Sequence, residues 1–471
     1  MQYTPRVYQP PMTNFALDNE RCNIWARMGA GKGASTLDAI SQLLMFNEVR
    51  RVLVLGPKLV AKHTWPDEVR QFNESFGHMS IAAAVGTPAQ RLAAVKSNPQ
   101  ILTANYDVVE WLTNGYGDRW PFDMVVADEA GRLSGHRVGQ RTSVKGNEFF
   151  VSGGSVRAAA LAKIAHKHVR RWVGLNGSPA PNGVVPVWAQ MWFVDGGQRL
   201  GRSFSGFTDR YFRSFTTDAG YSKLEPLPYA QKEIEDAIRD VCLTVDPRPF
   251  LNTRALVEHN VYVHLPPKAR RHYDEVQKDL FTMIREGRFV EAFNEGGKVN
   301  KALQLGSWGA YTNTETREYE ITHTEKLQAL ESIVSEAAGE SLLIRYCFTP
   351  ERDMILKAFP SFKPITAPNA MQDFQEGRLQ GLVVHAASAG HGISLQKNCR
   401  ILVDFSSSYN FGEDEQIIER IGPTRQAQSG FDRDVYRYRI IAKDTIEETA
   451  VLPALTHKMG IQESLLAAMQ R

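Results

Sequence analysis

The stretch Arg27-Met28-Gly29-Ala30-Gly31-Lys32-Gly33 restricts the folds open to this chain more than any other. It follows a short apolar run, Cys22 to Ala26, and opens a segment with Leu37, Ile40, Leu43 and Leu44 at helical spacing. Strand, glycine-rich turn and helix in that order make a cradle for phosphate groups. Glycines let backbone N–H groups approach phosphate oxygens, and a helix N-terminus adds a favourable dipole. Lys32 supplies a point charge to the outer phosphates. The residue after this lysine is usually serine or threonine, whose hydroxyl ligates Mg²⁺. Here it is Gly33. Ser35 and Thr36 are near in sequence, but two residues along a helix turn a side chain to another face. Either a water takes that ligand position or metal binding is weakened.

The chain has 471 residues, enough for two or three domains. It contains no apolar run of about 18 residues, so no membrane span is expected. Met1 to Asn19 is polar and lacks the apolar centre of a secretion signal. Cys22, Cys242, Cys347 and Cys399 lie far apart, without metal or redox spacing, and read as reduced thiols of a cytoplasmic protein. A net charge of +3 neither demands nor excludes a nucleic-acid partner.

Short apolar runs flanked by turn residues recur along the chain. Arg51–Leu55, Gln100–Asn105, Phe122–Ala127 and Arg171–Leu175 have the texture of strands buried on both faces. Leu342–Phe348, Leu382–Ala387, Ile401–Phe405 and Val435–Ile441 repeat it. The fold class expected is α/β, with two parallel-sheet domains in tandem and mainly helical insertions. We place the first domain at 1–255 with an insertion at about 183–250, and the second at 256–471 with one at about 266–320. Thr142–Ser155 reads as a loop and Lys163–Arg171 as a basic helix. The cluster Trp188, Trp192 and Phe193 reads as core packing.

Phe122 to Ala127 ends in Asp128 and Glu129. Carboxylates at the C-terminal end of a parallel strand sit in the crevice where ligands bind. Asp128 suits Mg²⁺, and Glu129 is placed to orient or deprotonate an attacking water.

Taken in order, these segments and several others resemble the Swi/Snf-type DNA-dependent ATPases of helicase superfamily two, in the compact form found in bacteriophages. Tyr8-Gln9 resembles the adenine-recognising segment, and Met28 to Lys32 the first helicase motif. Val54 to Lys58, with Trp65 and Glu68, resembles the next, and Thr103 to Tyr106 a strand-end segment facing the polynucleotide. Asp128-Glu129-Ala130 matches the acidic motif, with Gly131 where histidine is usual. Gly174 to Asn182 resembles the coupling segment, with Asn176 and Ser178 in place of threonines. Ser388 to Gln396 resembles the glycine-rich fifth motif, and Gln416 to Arg420 the opening of the sixth. The second arginine of that motif is displaced, with Pro423 at its usual place and Arg425 beyond it.

The resemblance implies RecA-like domains, ATP and Mg²⁺ as cofactors, and DNA as partner, double-stranded first and single-stranded second. It implies catalytic roles for Lys32, Asp128, Glu129, Arg420 and Arg425, with Mg²⁺ on Asp128. Nucleotide contacts fall to Tyr8, Gln9, Met28, Gly29, Ala30, Gly31, Lys32, Gly33, Gly390 and Gly392. Lys58, Lys62 and Ser388 are the expected DNA contacts. A duplex translocase, a strand-separating helicase and a nucleotide-gated binding module with little turnover all remain open. A protein partner would supply targeting, and a phage origin would place the chain in the host cytoplasm.

Overall fold

A computed structural model describes residues 1–468 except 28, 138–139, 145–146, 152–153, 178, 181–182, 217–221, 286–295, 314–317, 387–394 and 409. Met28, Ser178, Asn182, Ser388, Gly390 and Gly392 therefore lie outside the described residues. The chain divides into two compact units. The first comprises Met1–Phe215, Ser222–Phe250 and Gly460–Arg471, and the second Thr216–Tyr221 and Leu251–Met459.

The first unit carries a seven-stranded sheet whose pairings are all parallel. Its strands are β1 (Arg21–Ala26), β2 (Val52–Gly56), β3 (Ile81–Ala84), β4 (Ile101–Asn105), β5 (Met124–Asp128), β6 (Arg171–Asn176) and β7 (Cys242–Val245). Across the sheet they run β7-β1-β6-β5-β2-β4-β3. The central strands are continuous apolar runs because helices cover both faces; β2 and β4 are buried along their whole length. Sequence texture missed β3, whose Ile-Ala-Ala-Ala favours helix until pairing with β4 overrides it. It also missed β7, which lies inside the aromatic stretch after Asn182 and pairs with β1 from Asn23↔Cys242 to Ala26↔Val245.

Three helices of this unit bear on the site: α1 (Pro10–Asp18), α2 (Lys32–Met45) and α3 (Trp65–Gln71). Two local expectations fail. The supposed loop at 142–155 contains an antiparallel hairpin, Gln140–Val144 against Asn147–Val151. The supposed basic helix stops at Ala165, and Arg171 opens β6 instead. Its guanidinium is buried against the carbonyls of Ala16 and Leu17 and the Glu48 carboxylate, so it offers no basic face. Trp188 and Phe193 are fully buried on the helix Val187–Asp195, as core packing predicts.

The second unit carries a six-stranded sheet, again with parallel pairings throughout. Its strands are β8 (Leu256–Val263), β9 (Ser341–Tyr346), β10 (Lys363–Pro364), β11 (Gly381–His385), β12 (Cys399–Asp404) and β13 (Val435–Ala442), in the order β8-β13-β12-β9-β11-β10. Side chains alternate between two cores: Leu342, Ile344 and Val383 face one, Leu343, Leu382 and Val384 the other. Four buried charges tie this sheet to the helix Phe411–Ile418. Arg345 meets Asp404 and Asp414 at 2.8 Å each. Arg437 meets Asp404 at 2.6 Å and grips both oxygens of Asp414. The two parallel sheets make the fold the α/β tandem expected.

Candidate nucleotide site

The loop between β1 and α2 is shaped by two left-handed glycines, Gly29 at φ 77° and Gly31 at φ 80°. A side chain is disfavoured there by backbone sterics. Gly31 has a second reason: a Cβ would lie 1.9 Å from the Gln9 side-chain nitrogen. Gln9 is buried, accepts from the Arg6 amide at 2.7 Å and donates to the Ala30 carbonyl at 3.3 Å. The Thr13 hydroxyl donates to the Ser35 carbonyl at 3.1 Å, fixing α1 against α2. Tyr8 is buried with its ring 6.0 Å from Phe250. Gln9, just before α1, thus lines one side of the phosphate loop, and Tyr8 beside it packs toward Phe250.

Lys32 opens α2, and its ammonium donates to the carbonyls of Ala26 at 2.5 Å and Arg27 at 3.4 Å. The Thr36 hydroxyl is bound to the Lys32 carbonyl at 2.7 Å, so it does not replace the missing loop hydroxyl. Asp128 ends β5, and its Oδ2 accepts from the Trp65 indole at 3.0 Å. Burial raises the Asp128 carboxyl above the usual range, against that hydrogen bond and the charge of Lys32, which lower it. Its backbone carbonyl accepts from the buried Tyr106 hydroxyl at 2.8 Å. Glu129 follows at φ 57°, a left-handed backbone that costs a non-glycine residue roughly 1–2 kcal/mol.

Gly131 is small for a local reason: a Cβ there would stand 3.1 Å from the Asn176 side-chain nitrogen. That amide donates to Gln190 at 3.1 Å, and Gln190 in turn donates to the Pro179 carbonyl at 2.8 Å. Asn176, at the end of β6, is thereby tied to the helix Val187–Asp195. Sequence reading gave Trp65 and Tyr106 no role at Asp128; each was visible only as a motif match. Thr103 and Tyr106, expected to face a polynucleotide, are buried, and Thr103 donates to the Ala61 carbonyl at 2.5 Å. Lys58 and Lys62 are exposed after β2.

Lys32, Asp128 and Glu129 belong to the first unit, Arg420 and Arg425 to the second. Arg420 is buried just beyond the helix Phe411–Ile418, and its carbonyl accepts from the Leu395 amide at 3.3 Å. Pro423 starts a short helix, Pro423–Gln428, which carries the half-buried Arg425.

The first-unit residues fit a nucleotide and a divalent cation. The turn holds two left-handed glycines, an ammonium rests on carbonyl oxygens at its end, and a carboxyl pushed up by burial gains from a cation beside it. Carboxylate oxygens are the donors Mg²⁺ prefers.

No protein-family model matches the sequence. Protein p41 of Acyrthosiphon pisum secondary endosymbiont phage 1 is 41% identical over 473 residues, covering 100% of this chain and 99% of the phage protein. The chain belongs to the p41 family. Among solved structures, the Sulfolobus solfataricus SWI2/SNF2 ATPase core in complex with dsDNA aligns with 100% of this p41-family chain and 94% of its own, at 19% identity and a TM-score of 0.44. The Sulfolobus solfataricus SWI2/SNF2 ATPase core domain aligns with 98% of this chain and 90% of its own, at 18% identity and a TM-score of 0.41. Among the described residues of this p41-family member, no helix is long and apolar enough to cross a membrane.

Proposed function

We propose that this chain is an ATP-dependent DNA motor of the Swi/Snf type, hydrolysing ATP to move on or remodel DNA. The observation that carries the reading is the glycine turn after β1, where Gly29 and Gly31 take left-handed backbones and the Lys32 ammonium rests on the Ala26 and Arg27 carbonyls. The lysine charge acts on the carboxyl at the end of β5, which Trp65 holds by a hydrogen bond. The ordered motif resemblance supplies the substrate class, ATP with DNA.

In this reading the loop amides and Lys32 bind the β- and γ-phosphates, exchanging the Ala26 and Arg27 carbonyls for phosphate oxygens. Asp128 holds the cation, which when bound neutralises phosphate charge. Glu129 orients the attacking water and accepts its proton. Tyr8 and Gln9 take the adenine side. Met28, Gly390 and Gly392 are assigned by resemblance alone. Arg420 and Arg425 would stabilise charge on the transferring phosphoryl group, and Lys58, Lys62 and Ser388 would grip the DNA backbone.

A second reading, a nucleotide-gated binding module with weak turnover, is favoured by Gly33. ATP hydrolysis with Mg²⁺, alone and with duplex DNA, single-stranded DNA or RNA, separates the readings, with Glu129→Gln as the blank. Stimulation by duplex DNA supports the motor, and preference for single strands points to strand separation. ATP binding without turnover above the blank supports the module. Lys32→Ala should abolish hydrolysis; unchanged turnover refutes the assignment.

A further inference from the structure

The residues that follow β7, Asp246-Pro247-Arg248-Pro249-Phe250, belong to none of the segments that carry the motif resemblance. Their place in the fold sets them beside the phosphate loop. β1 and β7 run parallel and in register as far as Ala26↔Val245, so Arg27 and Asp246 leave neighbouring strands side by side. The carboxyl ends of parallel strands are where α/β sheets hold ligands. Two contacts bring the segment to the same spot. Burial alone would raise the Asp246 carboxyl, but the Arg248 hydrogen bonds and the charges of Arg248 and Arg27 hold it below the usual range. At the other end, the Phe250 ring lies 6.0 Å from that of buried Tyr8, whose neighbour Gln9 donates to the Ala30 carbonyl in the loop.

The segment is built stiff. Pro247 and Pro249 fix their own φ angles. The Asp246 oxygens accept from the Arg248 amide at 3.0 Å and from its guanidinium at 2.6, 2.9 and 3.0 Å. The Phe250 amide closes a single 3₁₀ turn on the Pro247 carbonyl at 3.1 Å. This turn holds out a large apolar ring, for Phe250 is 56% exposed even with Tyr8 against it. Single exposed apolar residues are ordinary on a protein surface, so exposure alone says little. Here the ring is rigidly mounted, and it stands on the side of the loop that Tyr8 and Gln9 occupy.

A nucleobase is a flat ring that stacks on aromatic side chains, and a platform set in advance spares the ordering cost of binding. We propose that Phe250 is the stacking platform for the nucleobase, with Tyr8 packed against it and the Asp246–Arg248 turn fixing its position. This rests on the nucleotide reading above. The competing role is structural: Phe250 covers Tyr8 and anchors the chain where the first unit ends.

The two roles ask different things of residue 250, since stacking needs a flat π-face and covering needs only apolar bulk. Binding of ADP with Mg²⁺ to the full-length protein is measured by titration calorimetry, alongside Tm without nucleotide. Phe250→Leu keeps the bulk and removes the ring, and it should weaken ADP binding by about tenfold, the order of one lost base–aromatic stack. Phe250→Ala should match it. Phe250→Tyr and Phe250→Trp keep a π-face and should bind within about twofold of wild type. Phe250→Leu binding as wild type does, or ADP affinity that merely follows Tm across the four variants, overturns the proposal in favour of the covering role and leaves the nucleotide reading intact. Wild type that binds no ADP, with Lys32→Ala indistinguishable from it, overturns the nucleotide reading and the Phe250 assignment with it.

Discussion

At Gly31 a methyl group would approach the Gln9 side chain to 1.9 Å on a backbone at φ 80°. Two penalties therefore combine in Gly31→Ala, a left-handed backbone cost of roughly 1–2 kcal/mol and a steric one. We expect a drop in Tm and weaker nucleotide binding, with Gln9→Ala recovering only the steric part. Full recovery by the double substitution, read by calorimetry, would mean the backbone is not strained. Asp128 yields a prediction of opposite sign. Its folded carboxyl is raised above the unfolded value, so the folded state holds the proton more tightly and loses stability as pH rises through that window. Asp128→Asn should raise the Tm of the nucleotide-free protein at neutral pH, with the gain shrinking on acidification, while removing metal-dependent binding. A lower Tm at neutral pH would show that the Trp65 bond outweighs desolvation.

The helix Phe411–Ile418, which leads to Arg420, is held by charge rather than by apolar packing alone. Burial by itself would raise the Asp414 carboxyl, but the Arg437 and Arg345 guanidiniums overcome it and hold it well below the usual range. Removing one partner from a buried ion group leaves charge uncompensated, at about 3–5 kcal/mol. Asp414→Asn should destabilise the second unit by that amount, read by calorimetry; a loss under about 1 kcal/mol would show that Asp404 and Glu258 compensate. Elements of this kind mark the limit of sequence reading. Val52–Gly56 and Ser341–Tyr346 announce themselves because strands buried on both faces must be apolar throughout. Ile81–Ala84 and Cys242–Val245 do not, because their strand state comes from neighbours distant in sequence. At the candidate site, local spacing singles out Lys32, Asp128 and Glu129, whose roles belong to the proposed reading. The Trp65–Asp128 bond and the Tyr8–Phe250 contact join segments far apart in the chain, and no local pattern encodes them.

Across the whole molecule the net charge of +3 supplies little general attraction for a polyanion, so any grip on DNA must come from local groups such as Lys58 and Lys62. Counterion release then makes the DNA concentration for half-maximal ATPase stimulation rise steeply with salt, by about 0.9 log unit per log unit for each phosphate contact on duplex DNA. Stimulation assayed between low and physiological salt should show this slope, and Lys58→Ala with Lys62→Ala should reduce it. A slope unchanged by both substitutions would move the contact elsewhere. The order of the first sheet also bears on how the protein is made. β1, the strand that leads into the phosphate loop, takes one neighbour from β6 and the other from β7 at Cys242–Val245. At about 5–20 residues per second a ribosome delivers β7 only several seconds after β6. For that interval the nascent chain displays β1 with one bare hydrogen-bonding edge, a template for mispairing with other unfinished chains. A message broken anywhere between those two strands would yield a fragment with an intact phosphate loop and a permanently sticky sheet.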